Sequence, residues 1–181
     1  MKRTVRRTRL AVAVAAFLIS SGCHPTAQLL LPPAEEVIEV GTPGTPLVCA
    51  HTALRPDSVV GRIGATGGTL QSGAGEFMVP PAAVSEDHDF VLTPLEGDSV
   101  GVRVEGRRVR APERGRVRFN VSPTLRIDVS RCDDDVIDEG EWFIWRLVET
   151  AGGQSQKLRT HINTVHATVR VDSTSRYMIA N

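Results

Sequence analysis

The chain lacks several features that identify large groups of proteins. It contains no H-E-x-x-H or Gly-rich phosphate-binding motif, which argues against the zinc peptidases and P-loop enzymes that use them. No two cysteines are spaced as C-x-x-C, so a zinc site is not expected. No stretch sustains a helical period of apolar residues, and this excludes a helix bundle. We therefore expect a non-enzymatic protein built from β-strands.

The N-terminus has the organisation of an export signal. The basic start MKRTVRR precedes the apolar run LAVAVAAFLI and then SSGC. The apolar run has about ten residues, whereas a membrane-spanning helix needs roughly 20. Cys23 directly after Gly22 resembles the lipobox of bacterial lipoproteins, although Ser20 stands where that pattern usually has Leu. Residues 1–22 are thus predicted to be a lipoprotein signal peptide and Cys23 the lipidated first mature residue. The alternative is an ordinary signal peptide with a cysteine near its cleavage site.

The charge and the export signal together restrict the location and the partners. Removal of residues 1–22, which hold five basic and no acidic side chains, leaves 16 basic and 21 acidic side chains, a net charge of −5. Nucleic acid is therefore not an expected partner, because phosphate binding needs a basic surface. The residue after Cys23 is His24 rather than the Asp that retains lipoproteins in the inner membrane. By the enterobacterial sorting rule, this predicts a lipid-anchored protein of the bacterial cell envelope, at the outer membrane.

The two remaining cysteines form a candidate disulfide. With Cys23 lipidated, Cys49 and Cys132 are an even pair in an oxidising compartment. The alternative is two unpaired thiols whose geometry forbids a bond.

The mature chain divides into a tether and one domain. Residues 23–58 include Pro32, Pro33, Pro43 and Pro46, which is typical of a semi-rigid linker, with a short strand possible at 36–40. Residues 59–181 contain short stretches of alternating apolar and polar residues, which predict an all-β, antiparallel β-sandwich. Strands are expected at 59–63, 69–71, 76–79, 89–94, 101–104, 107–110, 116–121, 125–129, 142–149, 157–162, 166–171 and 176–179.

The segment from residue 64 to residue 95 carries a family resemblance. It contains the glycine pair Gly67–Gly68, then MVPPAAV with Pro80, Pro81 and Ala83, and then FVLTPL. In this order the pieces resemble the ZU-five domain, the β-sandwich module of zonula-occludens and netrin-receptor type. Ala82 stands where the family usually has Gly. Because proline cannot donate to a ladder, Pro80 and Pro81 are expected where a strand leaves its sheet, with one helical turn after them and with Ala83 facing inward.

The resemblance implies a module that works through protein–protein contacts rather than catalysis. Some family members cleave their own chain at a His-Phe-Ser sequence. The corresponding triplet here is Ser173–Thr174–Ser175, which lacks the histidine, so self-cleavage is not expected. The resemblance extends from about residue 59 to the C-terminus and is specific over residues 64–95.

A second hypothesis is a Ca²⁺-dependent or aromatic-mediated binder of glycans or other ligands. The segment CDDDVIDEGE places Asp133, Asp134, Asp135, Asp138 and Glu139 close together, and carboxylates suit Ca²⁺, although the EF-hand spacing is absent. The alternative is a solvated acidic loop.

Three other side chains are weaker candidates for ligand contact. Trp142 is a candidate aromatic contact if it is exposed, or a core residue if it is not. His161 and His166 flank INTV and would lie opposite each other across a two-residue Asn163–Thr164 turn, either as a loose metal pair or as a surface pair without a ligand.

We predict that Cys23→Ser removes the lipid and releases the chain from the membrane fraction, because the lipid is the predicted anchor. Mass spectrometry of the N-terminal peptide, combined with cell fractionation, measures both effects. Cys49→Ser is the matched control and should keep the acylated residue 23. An unmodified Cys23 in the unaltered chain would refute the lipoprotein interpretation.

Overall fold

A computed structural model describes residues 36–49, 57–110, 116–148 and 153–181. These residues form twelve β-strands and one short α-helix and belong to one compact unit. The strands are β1 (Val37–Gly41), β2 (Val59–Ile63), β3 (Gly68–Ser72), β4 (Gly75–Val79), β5 (His88–Pro94), β6 (Gly101–Arg108), β7 (Thr124–Asp128), β8 (Phe143–Leu147), β9 (Ser155–Leu158), β10 (His161–Ile162), β11 (His166–Arg170) and β12 (Arg176–Ala180), with α1 (Asp134–Glu139) between β7 and β8. The predicted signal peptide 1–22, Cys23 and the first part of the predicted tether lie outside the described residues.

Two antiparallel sheets form the fold, which confirms the predicted all-β sandwich. The large sheet has the order β1-β9-β8-β12-β6-β5-β2, and the small sheet has the order β10-β11-β7-β4-β3. Alternation along β5 shows how the sequence produces these layers. Phe90 and Leu92 are fully buried, whereas Asp89 and Val91 face the other side of the sheet. Such period-two burial gives each strand a core face and an outer face.

Three phenylalanines join the two sheets at the centre of the core. Phe77 on β4 belongs to the small sheet, Phe90 on β5 belongs to the large sheet, and Phe119 lies in the segment before β7. The ring centroids of these three side chains are 5.8 to 5.9 Å apart. Aromatic pairs at this separation contribute about 0.5–1.5 kcal/mol beyond the apolar area that they bury.

The double proline lies where β4 leaves the small sheet. β4 ends at Val79, and Gly67 of the glycine pair packs directly against the backbone of Val79 and of the prolines that follow. A Cβ atom at Gly67 would lie 2.5 Å from the carbonyl oxygen of Val79, and the φ angle of Gly67 is +76°, so only glycine fits this position. The two parts of the sequence motif are therefore in contact.

The residues after the prolines form a turn rather than the helical turn that we expected. The amide of Ala82 donates to the carbonyl of Ala65 at 2.8 Å, and this bond holds Ala82 in a left-handed conformation with φ +62°. Such a backbone does not continue into a helix. Ala83 and Val84 are buried in the inward position that we expected.

Two other local predictions are wrong. We expected separate strands at 101–104 and 107–110, but β6 is continuous through Gly106 because its pairing with β5 runs from Arg108 back to Val102 without a shift. The expected strand at 116–121 is reduced to an isolated bridge between Arg118 and Ser173.

The expected strand at 157–162 is divided between the two sheets. β9 pairs in the large sheet and β10 in the small sheet. Thr160 lies between them. Its hydroxyl accepts a hydrogen bond from the Ile144 amide at 2.8 Å and donates to the Leu158 carbonyl at 2.9 Å. The side chain thus replaces a backbone partner at the end of the ladder, which lets the chain change sheets.

The sandwich also includes residues before position 59, where we expected the domain to begin. β1 forms the outermost strand of the large sheet beside β9, and Leu47 is fully buried. Cys49 forms the predicted disulfide with Cys132, 83 residues away. A crosslink of this span stabilises a fold by roughly 2–4 kcal/mol. Residues 36–49 are therefore a structural part of the domain rather than only a tether.

We predict that Ala82→Gly stabilises the protein. Glycine adopts a positive φ angle without the Cβ clash, so the free energy of unfolding should rise by about 1 kcal/mol and the melting temperature by about 2–4 °C. Thermal unfolding followed by circular dichroism measures the change. Ala83→Gly is the control, and it should destabilise because it removes a buried methyl group. Lower stability of the Ala82→Gly variant would contradict the strain assigned to this turn.

Candidate functional site

The acidic segment does not form a metal site in the described residues. Four of its carboxylates are exposed: that of Asp133, which directly precedes α1, and those of Asp134, Asp135 and Asp138 on the helix. Among the residues that the structure describes, no group of three or more His, Cys, Asp or Glu side chains is arranged to hold a metal ion. The side chain of Glu139 lies outside the described part.

Trp142 holds α1 against the sandwich. Its Nε1 donates to the carbonyl of Val136 at 2.8 Å, and the ring packs against the core. The ring also lies so close to Gly140 that a Cβ atom there would overlap the indole. These contacts favour the core alternative over an exposed platform for a ligand.

The two histidines do not lie opposite each other. His161 pairs with Thr168, and the turn consists of Thr164 and Val165, one residue later than we expected. The reason is Asn163, whose side-chain oxygen accepts hydrogen bonds from the amides of Val165 and His166 at 2.9 and 2.7 Å. The expected placement of His161 and His166 opposite each other across the turn is therefore wrong.

A polar cluster lies near one end of the sandwich, around Arg146. This side chain is 4% exposed on the inner face of β8 and contacts Asp172, Gln156 and Ser173. The hydroxyl of Ser173 also donates to Asp172 at 2.6 Å and accepts from Arg116 at 2.8 Å. The Ser173–Thr174–Ser175 triplet is thus held in a hydrogen-bonded network that connects strands.

A groove with a volume of about 530 Å³ lies on the outer face of the large sheet. It extends across β2, β5, β6, β12 and β8. Its apolar lining consists of Val60, Val91, Leu147 and Val148, and its charged lining consists of Arg103, Arg107, Arg116, Arg176, Asp89 and Glu105. A volume of this size lies in the range of ligand-binding clefts.

Strand register builds the groove from outward-facing residues. Val60 on β2 pairs with Val91 on β5, and Val91 pairs with Glu105 on β6, which gives one row across three strands. The neighbouring row, which we call the charged row, is Arg62, Asp89 and Arg107 on the same strands. Val60 is 63% exposed, although it is a large apolar side chain. The apolar floor of the groove, formed by Val60 and Val91, therefore lies beside the charged row.

One carboxylate lies between two guanidinium groups in the charged row. Arg62 Nε donates to Asp89 Oδ1 at 2.9 Å, and a terminal nitrogen of Arg107 lies 3.5 Å from Asp89 Oδ2. The hydrogen bond from Arg62, followed by the positive charges of both arginines, lowers the pKa of Asp89. The same bond raises the pKa of Arg62. Two positive charges against one negative charge leave this row cationic.

Arg116 adds a further positive charge at the wall of the groove. Its Nε donates to the neutral hydroxyl of Ser173, and within the described residues it has no carboxylate partner. The sequence analysis did not identify the groove residues as a site, because the members of each row are more than ten positions apart in the chain.

Known proteins give no further assignment, since no protein-family model matches the chain and no curated protein is similar to it in sequence. The ZU-five resemblance stays a prediction.

No helix in the described part of the chain is long and apolar enough to cross a membrane.

The lowered pKa of Asp89 predicts an acid-dependent loss of stability. Folded Asp89 binds its proton more weakly than unfolded Asp89 does, so the stability that it provides is present above about pH 4 and is lost as the pH falls through the lowered pKa. Asp89→Asn should therefore flatten the decline of the melting temperature between about pH 4 and pH 2.

Asp138→Asn is the matched control for this experiment, because Asp138 is exposed and has no ion pair within the described residues. It should leave the decline as it is in the unaltered chain. Equal slopes for the Asp89→Asn variant and the unaltered chain would show that the charged row does not contribute to stability.

Proposed function

We propose that this protein is a lipid-anchored, non-enzymatic module of the bacterial cell envelope that binds another protein through the outer face of its large sheet. The supporting observation is the groove, which combines exposed Val60 with the cationic charged row. Apolar side chains supply buried contact area, and arginines supply directional hydrogen bonds, which is the combination found at the centres of protein interfaces.

The position of the groove in the fold also suits binding. β2 is the last strand of the large sheet, so one end of the groove opens at a sheet edge rather than against another described strand. The inner face of the same strands is filled by the core, including Phe90 and Leu92. A partner on the outer face would therefore not need to disturb the packing between the sheets.

The predicted anchor would keep this surface near the membrane. Twelve residues lie between Cys23 and Glu36, the first described residue, so thirteen backbone steps separate the two. A chain of this length spans at most roughly 45 Å. A lipid on Cys23 would thus limit the partner to proteins of the same envelope layer, for which the outer membrane is our proposal.

The alternative, a Ca²⁺-dependent glycan binder, lacks a supporting observation in the described residues. No three of the described carboxylates around α1 are arranged to hold a metal ion, and the indole N–H of Trp142 is already bonded to the carbonyl of Val136. We therefore retain protein binding as the function.

A photo-crosslinking amino acid at Val60, introduced into the full chain in intact cells, tests this function. We expect one recurrent envelope protein to be captured, because Val60 lies in the groove. Val165 is the matched control, since it is an exposed valine on the hairpin between β10 and β11 of the small sheet. Absence of adducts at Val60, or the same set of adducts at both positions, would contradict the proposal.

A further inference from the structure

We infer that the groove binds an extended, acidic peptide segment that lies across the strands of the large sheet. The inference rests on the proposed function and specifies the chemistry of the partner. Carboxylates of the segment would pair with Arg107 and Arg116, and its aliphatic side chains would contact Val60 and Val91.

The balance of charge in the groove favours an anionic ligand. The lining contains four arginines and two carboxylates. The chain after residue 22 as a whole has the opposite tendency, because it holds 21 acidic against 16 basic side chains with the groove residues included. Positive charge is thus concentrated in a concave site of an otherwise acidic protein, where it attracts negatively charged partners and repels positively charged ones.

Arg107 is able to accept a second carboxylate. Arg62 makes the shorter contact with Asp89, at 2.9 Å, while Arg107 lies 3.5 Å from the other carboxylate oxygen. Arg107 therefore shares the Asp89 carboxylate, which is already hydrogen-bonded to Arg62. The side chain of Arg107 is 53% exposed. A guanidinium group has five N–H donors in a planar fork, which suits bidentate binding of an incoming carboxylate.

Arg116 is held in place by a residue that is itself fixed. Its Nε donates to Ser173 at 2.8 Å, and Ser173 is only 2% exposed. This bond uses one donor and orients the guanidinium, so less side-chain entropy is lost when a ligand binds. Arg116 itself is exposed.

The dimensions of the groove match a short extended peptide. It reaches from Val60 on β2 to Leu147 on β8, which are separated by four inter-strand steps. At about 4.8 Å per step, the distance is roughly 19 Å, the length of about six residues in an extended conformation. The aliphatic floor at Val60 and Val91 would accommodate alternate side chains of such a segment.

The test uses the purified full chain and three blocked six-residue peptides, in which Val alternates with Glu, with Gln or with Lys. Isothermal titration calorimetry is performed at about 50 and about 300 mM salt, because ion pairs weaken as the Debye length shortens. We expect the Glu peptide to bind at least tenfold more tightly than the Gln peptide at low salt, with a smaller difference at high salt. The Lys peptide should not bind.

Variants identify the residues responsible. Arg107→Gln and Arg116→Gln should each weaken binding of the Glu peptide by about fivefold, consistent with partly exposed charge-assisted contacts. Arg126→Gln is the matched control, since Arg126 pairs with Glu76 on the small sheet, and its binding should be unchanged. The melting temperature of each variant verifies that it is folded.

Three results would overturn the inference: equal binding of the Glu and Gln peptides, no binding of any peptide at about 1 mM, or unchanged binding by the Arg107→Gln/Arg116→Gln double variant. Tighter binding of an oligouronate than of the Glu peptide would also overturn it, in favour of an anionic glycan.

If Val60 crosslinks a protein but the Glu preference is absent, protein binding stands and the acidic segment does not. If Val60 captures nothing, the proposed function itself fails.

Discussion

The packing of Phe90 between the two sheets determines much of what the outer surface presents. Phe90 is fully buried against Phe77 and Phe119, and neighbouring residues of a strand must point to opposite faces. Asp89 and Val91 are consequently directed outward, one into the charged row and the other onto the apolar floor. A shift of β5 by one residue would expose the phenylalanine and bury the aspartate, which is the physical reason that the core fixes the register of the groove.

The beginning of the described chain is attached to the same core. Leu47 is buried, Cys49 is bonded to Cys132, and β1 pairs with β9. The disulfide connects this segment to the residues that precede α1, and Trp142 contacts that helix by donating a hydrogen bond to the carbonyl of Val136. If Cys23 carries a lipid, force on the anchor would therefore act on a crosslinked part of the sandwich rather than on a free strand.

The sequence predicted features that depend on near neighbours. Alternation around Phe90 identified a strand, and the pair Cys49 and Cys132 was recognisable from the number of cysteines. Features that depend on distant pairing were missed. The sequence EGRR in β6 resembles a turn, yet its pairing with β5 keeps it extended, and Thr160 divides one apparent strand between two sheets. The charged row joins three strands whose register is not visible in the sequence, so the groove could be recognised only in the structure.

The most direct test is hydrogen–deuterium exchange of the full chain. Exchange rates are compared with and without a saturating concentration of the Glu–Val peptide, to determine whether the outer face of the large sheet is the binding surface. The account predicts slower exchange in β2, β5 and β6, at residues 59–63, 88–94 and 101–108, and no change in β3, β4 and β7 of the small sheet. Protection confined to the small sheet or to α1, or no protection at saturation, would contradict it.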